Sequence, residues 1–346
     1  MNTARAVPER GAATPGRTPA PVNHVRPVDW LLGVYNLALA ALWAAAVPTA
    51  AVAGSSASSL ALVVAHCALA TALWWIPRLP DRPGRFVLVL REAYPLLLIP
   101  LLWEELDAVI RITHAATNDG LIMALDRALF GLHLDAAWMP AMPQLWFSEL
   151  MHFSYWIYLP LIFLPPIAMA LRRDAFAFQD VTLRLMTAYL ACYAVYLVFP
   201  TAGPKVFGVP YEGALAEGFF FGLVAQAHEA SNVWGAAFPS SHVAGAVTVA
   251  WLGWRWFSPG VAILLSIQAL GVVLSTVYTQ NHYAIDSVVG VVFALSLQAW
   301  AVPAIRRFHA AATHGMPASS VGTAALEPVR CRATPPLPHP PLGGGR

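Results

Sequence analysis

The sequence predicts an all-α protein, a polytopic helical bundle with about eight transmembrane helices. Three observations carry that expectation. Of the 346 residues, 58% are hydrophobic and only 11% are charged, with a mean hydropathy of +0.60. A soluble domain carries roughly 25% charged residues, so a water-facing surface cannot be built from this supply. Eight apolar stretches are long enough, or nearly so, to cross about 30 Å of hydrocarbon as helix. The arginines also gather on alternate sides of those stretches. The composition argues against a cytosolic enzyme, and a net charge of +2 with no basic patch excludes a nucleic-acid partner. Cys67, Cys192 and Cys331 are too scattered for a disulfide framework or a cysteine-rich metal site.

In chain order, residues 1–27 are rich in Pro, Ala, Thr and Arg, lack an apolar period, and read as a disordered tail. They also lack the apolar core and cleavage site of a signal peptide. Residues 28–106 hold three spans, at 30–53, 59–76 and 86–106, the last interrupted by Pro95 and Pro100. Residues 107–149 mix charges with Phe130, Trp138, Trp146 and Phe147, the pattern of amphipathic helices lying in the outer interface. Residues 150–305 hold five spans, at 150–171, 181–199, 241–257, 261–278 and 286–304. A Gly- and Pro-rich connection over 200–240 carries Phe219, Phe220 and Phe221 in a row. Residues 306–346 read as a second disordered tail.

Orientation follows from charge. With the amino terminus cytoplasmic, sixteen of the twenty Lys+Arg fall in inside segments and only Arg111, Arg127 and Lys205 fall outside. Arg91 is left near the inner end of the third span. This positive-inside bias predicts both termini in the cytoplasm.

That topology brings four segments together on the outer face: Pro200 to Lys205, Pro239 to His242, Ser275 to His282, and Asp286. Lys205 is the only lysine in the chain. Ionisable groups gathered at one end of a membrane bundle are functional candidates by default. His282 and Asp286 are four apart, so on one helix the carboxylate can hold one imidazole nitrogen and free the other as nucleophile or base. His242 follows Pro239-Ser240-Ser241 at a helix opening, where amides and the dipole favour an anion. An anion site between two histidines suits phosphoryl transfer, one attacking and one protonating the leaving oxygen.

The string Ser275-x6-His282-x3-Asp286 resembles the third signature, Ser-Arg-x5-His-x3-Asp, of the type 2 phosphatidic acid phosphatase superfamily. Pro239-Ser240-Ser241-His242 is similar to its second signature, Pro-Ser-Gly-His. The first signature, Lys-x6-Arg-Pro, is not matched. Pro200-Thr201-Ala202-Gly203-Pro204-Lys205 looks more like the Pro-Thr-Ala-Pro-Pro segment of the inositol phosphorylceramide synthase branch. Thr276, Asp126 with Phe130-Gly131, and Tyr155-Trp156 resemble that branch too. The resemblance covers roughly residues 86–304.

It implies a phosphatidic acid phosphatase-like core with His282 as the nucleophile forming a phosphohistidine, Asp286 orienting it, and His242 protonating the leaving group. Ser240, Ser241, Ser275 and Thr276 at the matching motif positions, with Lys205, would hold the phosphoryl oxygens. Neither a metal nor another cofactor is implied. Thr276 stands where the signature has Arg, so bidentate donors are missing, a gap for Arg111 or Arg127 to fill. The implied function is an integral phosphoesterase or phosphotransferase of the plasma membrane, acting on a lipid phosphate or diphosphate with water or an alcohol acceptor. Two alternatives remain open: a phosphoinositol transferase, and a non-enzymatic lipid binder or transporter. Outside the motifs, His66 reads as an interhelical hydrogen-bonding residue. Glu104, Glu105 and Asp107 read as a solvated helix end, and His114, His133, His152 and His228 carry no expected role.

Overall fold

The computed structural model describes residues 25–52, 56–72, 75, 85–206, 211–230 and 233–314. The expected disordered tails fall largely outside the described residues. Fourteen α-helices are described: α1 (Pro27–Val52), α2 (Ser56–Ala72), α3 (Arg85–Thr113), α4 (Asp119–Phe130), α5 (Leu134–Ala141), α6 (Leu145–Trp156), α7 (Tyr158–Leu161), α8 (Leu164–Leu171), α9 (Ala175–Val198), α10 (Phe219–Ala230), α11 (Ser241–Trp256), α12 (Pro259–Tyr278), α13 (Ala284–Ser296) and α14 (Val302–His314). A π-turn over Leu297–Ala301 joins the last two. Among the described residues, β structure amounts to one parallel bridge between Thr201 and Ala236.

Among the described residues, each of the eight apolar stretches is mainly helical: α1, α2, α3, the broken rod α6–α8, α9, α11, α12, and the rod α13–α14. Five of these are long and apolar enough to cross a membrane, over Pro27–Pro48, Leu145–Leu171, Ala175–Val198, Pro259–Tyr278 and Ala284–Thr313. Helix α2 is apolar but shorter, and α11 has 16 residues. The α6–α8 rod carries Pro160, Pro165 and Pro166, whose missing N–H groups interrupt the helical ladder. Long apolar helices of this kind mark an integral membrane protein. Val198 and Trp300 are more than two-thirds exposed, as side chains facing lipid rather than water would be.

Helix α9 forms the centre, with Val181, Leu185, Tyr189, Cys192 and Tyr196 all buried against its neighbours. Near its start, Asp180 accepts from Arg184 Nε at 2.9 Å, Arg255 Nε at 2.7 Å and Trp256 Nε1 at 2.8 Å, and also from Arg306. Sixteen residues on, about 24 Å at the helical rise, Tyr196 Oη donates to the Pro239 carbonyl at 2.7 Å and accepts from Ser241 N at 3.1 Å. The bundle therefore has one end clasped by arginines and another that receives the Pro239 segment.

Two expectations change. The second tail was placed from 306, but α14 continues to His314, because Arg306 is drawn to Asp180 and His309 Nε2 donates to the Val25 carbonyl at 2.7 Å. Glu105 is not part of a solvated helix end: it accepts from Trp43 Nε1 and meets His66 Nε2 at 2.6 Å. His66 reaches Asn36 Oδ1 with its other nitrogen at 2.8 Å, satisfying polar groups that hydrocarbon would leave bare.

Helices α11 and α13 cross closely at Gly290, where an added Cβ would lie 2.9 Å from the Ser240 carbonyl oxygen and 3.1 Å from Val243 Cβ. The nearer atom is backbone and cannot turn aside. Gly290→Val is expected to destabilise the protein by about 1–3 kcal/mol through overpacking. Thermal unfolding in detergent reads this, and an unchanged midpoint would show that the crossing has slack.

Candidate active site at the ends of four helices

The carboxyl ends of α9 and α12 meet the amino ends of α11 and α13, and the expected residues gather there. Ser240 is the N-cap of α11, its Oγ accepting from Val243 N at 3.3 Å. That cap places His242 in the first turn. His242 Nδ1 faces His282 Nε2 at 3.4 Å, and the opposite nitrogen, Nε2, lies 3.0 Å from Tyr155 Oη. The Tyr155 ring stacks on His242 at 4.9 Å between centroids. Tyr155 Oη also reaches His228 Nε2 at 3.2 Å.

The helical His–Asp pair needs correction. His282 lies before α13, Tyr283 is the N-cap, and Asp286 sits in the first turn. The carboxylate accepts from Tyr283 N at 3.0 Å and so serves first as a helix cap. Its Oδ2 stands 3.6 Å from His282 Nδ1, an ion-pair distance rather than a hydrogen bond. Asp286 Oδ1 and His282 Nδ1 are both buried without a hydrogen-bond partner, so a rotation of either side chain would close the contact.

Ser275 Oγ donates to the Val272 carbonyl at 3.1 Å. Thr276 Oγ1 donates to the Val273 carbonyl at 3.0 Å and meets Ser287 Oγ at 2.9 Å. Both hydroxyls are thus engaged in holding helices rather than aimed at the histidines. The Thr276 carbonyl accepts from Asn281 N and His282 N, each at 3.0 Å, fixing the turn that presents His282. Arg111 pairs with Asp107 at 2.8 Å and packs over Trp234, and Arg127 is exposed, so neither arginine joins the histidines.

The Pro200–Lys205 segment is fixed by a residue the sequence reading passed over. Asp119 accepts from Ala202 N and Gly203 N, each at 2.8 Å, and from Tyr283 Oη at 3.1 Å. Gly203 has φ +89°, and an added Cβ would lie 3.0 Å from Ala237 Cβ, so glycine is required there. Lys205 is exposed, within electrostatic reach of His228 and Glu229. Desolvation lowers its pKa and Glu229 opposes that shift.

Burial pushes the His282 imidazole down to about 4. Burial pushes His228 down to about 3, with Lys205 and the neighbouring histidines adding to the shift. Both rings are therefore neutral at pH 7. His228 had no expected role, and its nearness to Tyr155 depends on α10 folding back onto α6, which no local pattern announces.

Fold and site together describe an integral membrane helical protein with two histidines and a carboxylate gathered where its helices end. A family model described as the PAP2 superfamily matches residues 121–300, and the chain belongs to that superfamily. Its members are generally phosphatases or phosphotransferases. The match starts within α4 and ends in the π-turn, leaving α1–α3 outside it. No curated protein and no solved structure matches the chain.

Two outcomes are expected from this geometry. Asp119→Ala strands three donors, and each buried donor left unpaired costs about 1–3 kcal/mol. The variant should melt earlier and exchange its 200–206 amides faster; unchanged exchange would refute the anchoring role. For pH, a histidine lowered from 6.5 to about 4 binds fewer protons folded than unfolded between those values. Its contribution is intact above 6.5 and is lost as the pH falls towards 4. Melting temperatures across that range should fall less steeply for His282→Gln than for the wild type.

Proposed function

We propose that the protein is a lipid phosphatase or phosphotransferase that works through a phosphohistidine on His282, at the outer face of the plasma membrane. The observation that carries this reading is the run Tyr155–His242–His282–Asp286. With Tyr155 donating to His242 Nε2, the neutral ring carries its proton on Nδ1 and points it at the His282 Nε2 lone pair. His282 Nδ1–H then faces Asp286. Each ring is thereby held in one tautomer, leaving His282 Nε2 as nucleophile and His242 as proton donor.

Nitrogen must approach phosphorus to about 3–3.5 Å for attack, so a phosphoryl group needs the 3.4 Å gap between the rings to open. In the first step His242, which takes up a proton from solvent as the anionic substrate binds beside it, gives its Nδ1 proton to the leaving oxygen as the P–O bond breaks and the N–P bond to His282 forms, and so returns to the neutral ring. In the second, water or an alcohol attacks phosphorus, gives its proton to His242, and the N–P bond breaks. Asp286 stabilises the imidazolium of the intermediate. Lys205, Ser240, Ser241 and the amino end of α11 offer positive potential for the phosphoryl oxygens. Ser275 and Thr276 act instead as positioning residues, Thr276 holding the amide of His282.

The orientation is supported by the clustering of Arg184, Arg255 and Arg306 on Asp180, at the opposite end of α9 from the histidines. Counting α2, α3 and α11 with the five long apolar rods gives eight crossings and cytoplasmic termini.

One observation favours the phosphoinositol transferase reading of the donor. Thr276 replaces the signature Arg, and its hydroxyl ties α12 to α13. A phosphate monoester carries about −1.5 to −2 at neutral pH, whereas a phosphodiester carries a single charge. A site whose nearby exposed cation is Lys205 suits the diester better.

The decisive experiment supplies detergent-purified protein with lipid phosphates, isoprenoid diphosphates and phosphoinositol lipids, with and without alcohol acceptors. Phosphate release dependent on His282 means hydrolysis. New lipid product only when donor and acceptor are both present means transfer. His282→Ala should abolish turnover and the acid-labile phosphoryl adduct, while His242→Ala should slow turnover by about 10²–10⁴-fold. Folded wild type that turns over nothing would favour a non-enzymatic lipid binder or transporter.

A further inference from the structure

A second cluster of chemistry-bearing side chains lies beside the histidine pair. Asp126 stands in the last turns of α4, His133 is the N-cap of α5, and Asp135 is in the first turn of α5. Gly131, at φ +75° as the C-cap of α4, reverses the chain between them. The three side chains converge: one ligand-capable atom from each lies within 4.8 Å of the others. Asp126 is 0% exposed and Asp135 5%. Each of the three residues also holds a buried polar atom without a hydrogen-bond partner: Asp126 Oδ2, His133 Nδ1 and Asp135 Oδ1. Three such orphans at one point are unusual, since a buried unpaired polar group costs about 1–3 kcal/mol.

The surroundings make the cluster more anomalous. Asp126, Asp135 and Asp119 all lie within electrostatic reach of Asp286. Arg127, next to Asp126 in sequence, is exposed to solvent. Four carboxyls thus gather around the amino end of α13, whose partial positive charge is worth about half a unit. The dipole alone could not balance four carboxylates.

We propose that Asp126, His133 and Asp135 bind a divalent transition-series cation, Zn²⁺ or Mn²⁺, that clasps the α4–α5 turn to the amino end of α13. The donor set decides the class of ion: an imidazole suits Zn²⁺ and its neighbours, and paired carboxylates suit Mn²⁺ and Zn²⁺. Donors stand about 2.0–2.2 Å from Zn²⁺, so the side chains would close slightly on the ion. Its mechanical link to the site is visible. The other oxygen of Asp126, Oδ1, accepts from Ile285 N at 2.8 Å, one residue before Asp286. The ion would lock that carboxylate, and so steady the turn that carries His282. It touches neither histidine of the pair, so the role is structural and is independent of the proposed phosphoryl transfer.

The test uses full-length protein extracted in detergent without chelator. Elemental analysis should find Zn or Mn at close to one ion per chain, and Asp135→Asn and His133→Ala should each lose it. His282→Ala should keep it. Wild type stripped with a chelator should gain several degrees in melting temperature on titration with Zn²⁺ or Mn²⁺, and much less with Mg²⁺. Stripped wild type that elutes as a folded monodisperse species, gains nothing from either ion, and held neither when purified would overturn the proposal. A gain in stability for Asp135→Asn would also overturn it, because it would show two carboxyls sharing a proton instead.

Discussion

The close crossing of α11 and α13 is the contact on which the site depends. Glycine at 290 lets the Ser240 carbonyl approach the α13 backbone, and Ser240 N donates to the Asp286 carbonyl at 3.1 Å. Those contacts join the first turns of two helices that are forty residues apart in sequence. His242 extends from one and His282 lies just before the other, so the 3.4 Å between their nitrogens follows from backbone geometry. A larger residue at the crossing would separate the rings before it disturbed any motif residue.

How legible this was depended on the range of the interactions. The described parts of all eight apolar stretches are mainly helical, because hydrocarbon leaves backbone groups no partners but one another. The Pro-Ser-Ser-His segment was readable as a helix opening, since a serine N-cap acts over three residues. The His282–Asp286 relation was only half readable. Spacing alone put both on one helix, but the tight turn through Asn281 ends with Tyr283 as the cap, leaving His282 outside and Asp286 bound to the cap amide. Asp119 escaped notice, and Tyr155 and His228 were given no place beside His242, because their contacts come from partners 40 or more residues away, reached only after the chain folds back.

Thr276 shows how one substitution can change what a signature does. Arginine there would offer a planar fork to a phosphate. Threonine instead donates to its own helix and meets Ser287 on α13. In this chain the position ties α12 to α13. Its carbonyl holds the amide of His282, so the turn that presents that ring is kept.

Charge is distributed to match. One end of α9 concentrates guanidinium groups on Asp180, whose buried carboxylate is stabilised by several partners at once. The other end carries carboxyls at 119, 126, 135 and 286 around a helix amino terminus, with neutral histidines beside them. Asp119 spreads its charge over two loop amides and a tyrosine, whereas Asp286 has the Tyr283 amide on Oδ2 and leaves Oδ1 bare. Asp126 has a donor for one oxygen only, and Asp135 leaves Oδ1 bare. The unpaired carboxyl oxygens therefore lie on the α4–α5 turn and at Asp286 beside it. Excess negative charge directly at the histidine pair would repel a phosphate. A divalent cation on the α4–α5 turn would offset the carboxyls on the far side of Asp286 without touching either ring.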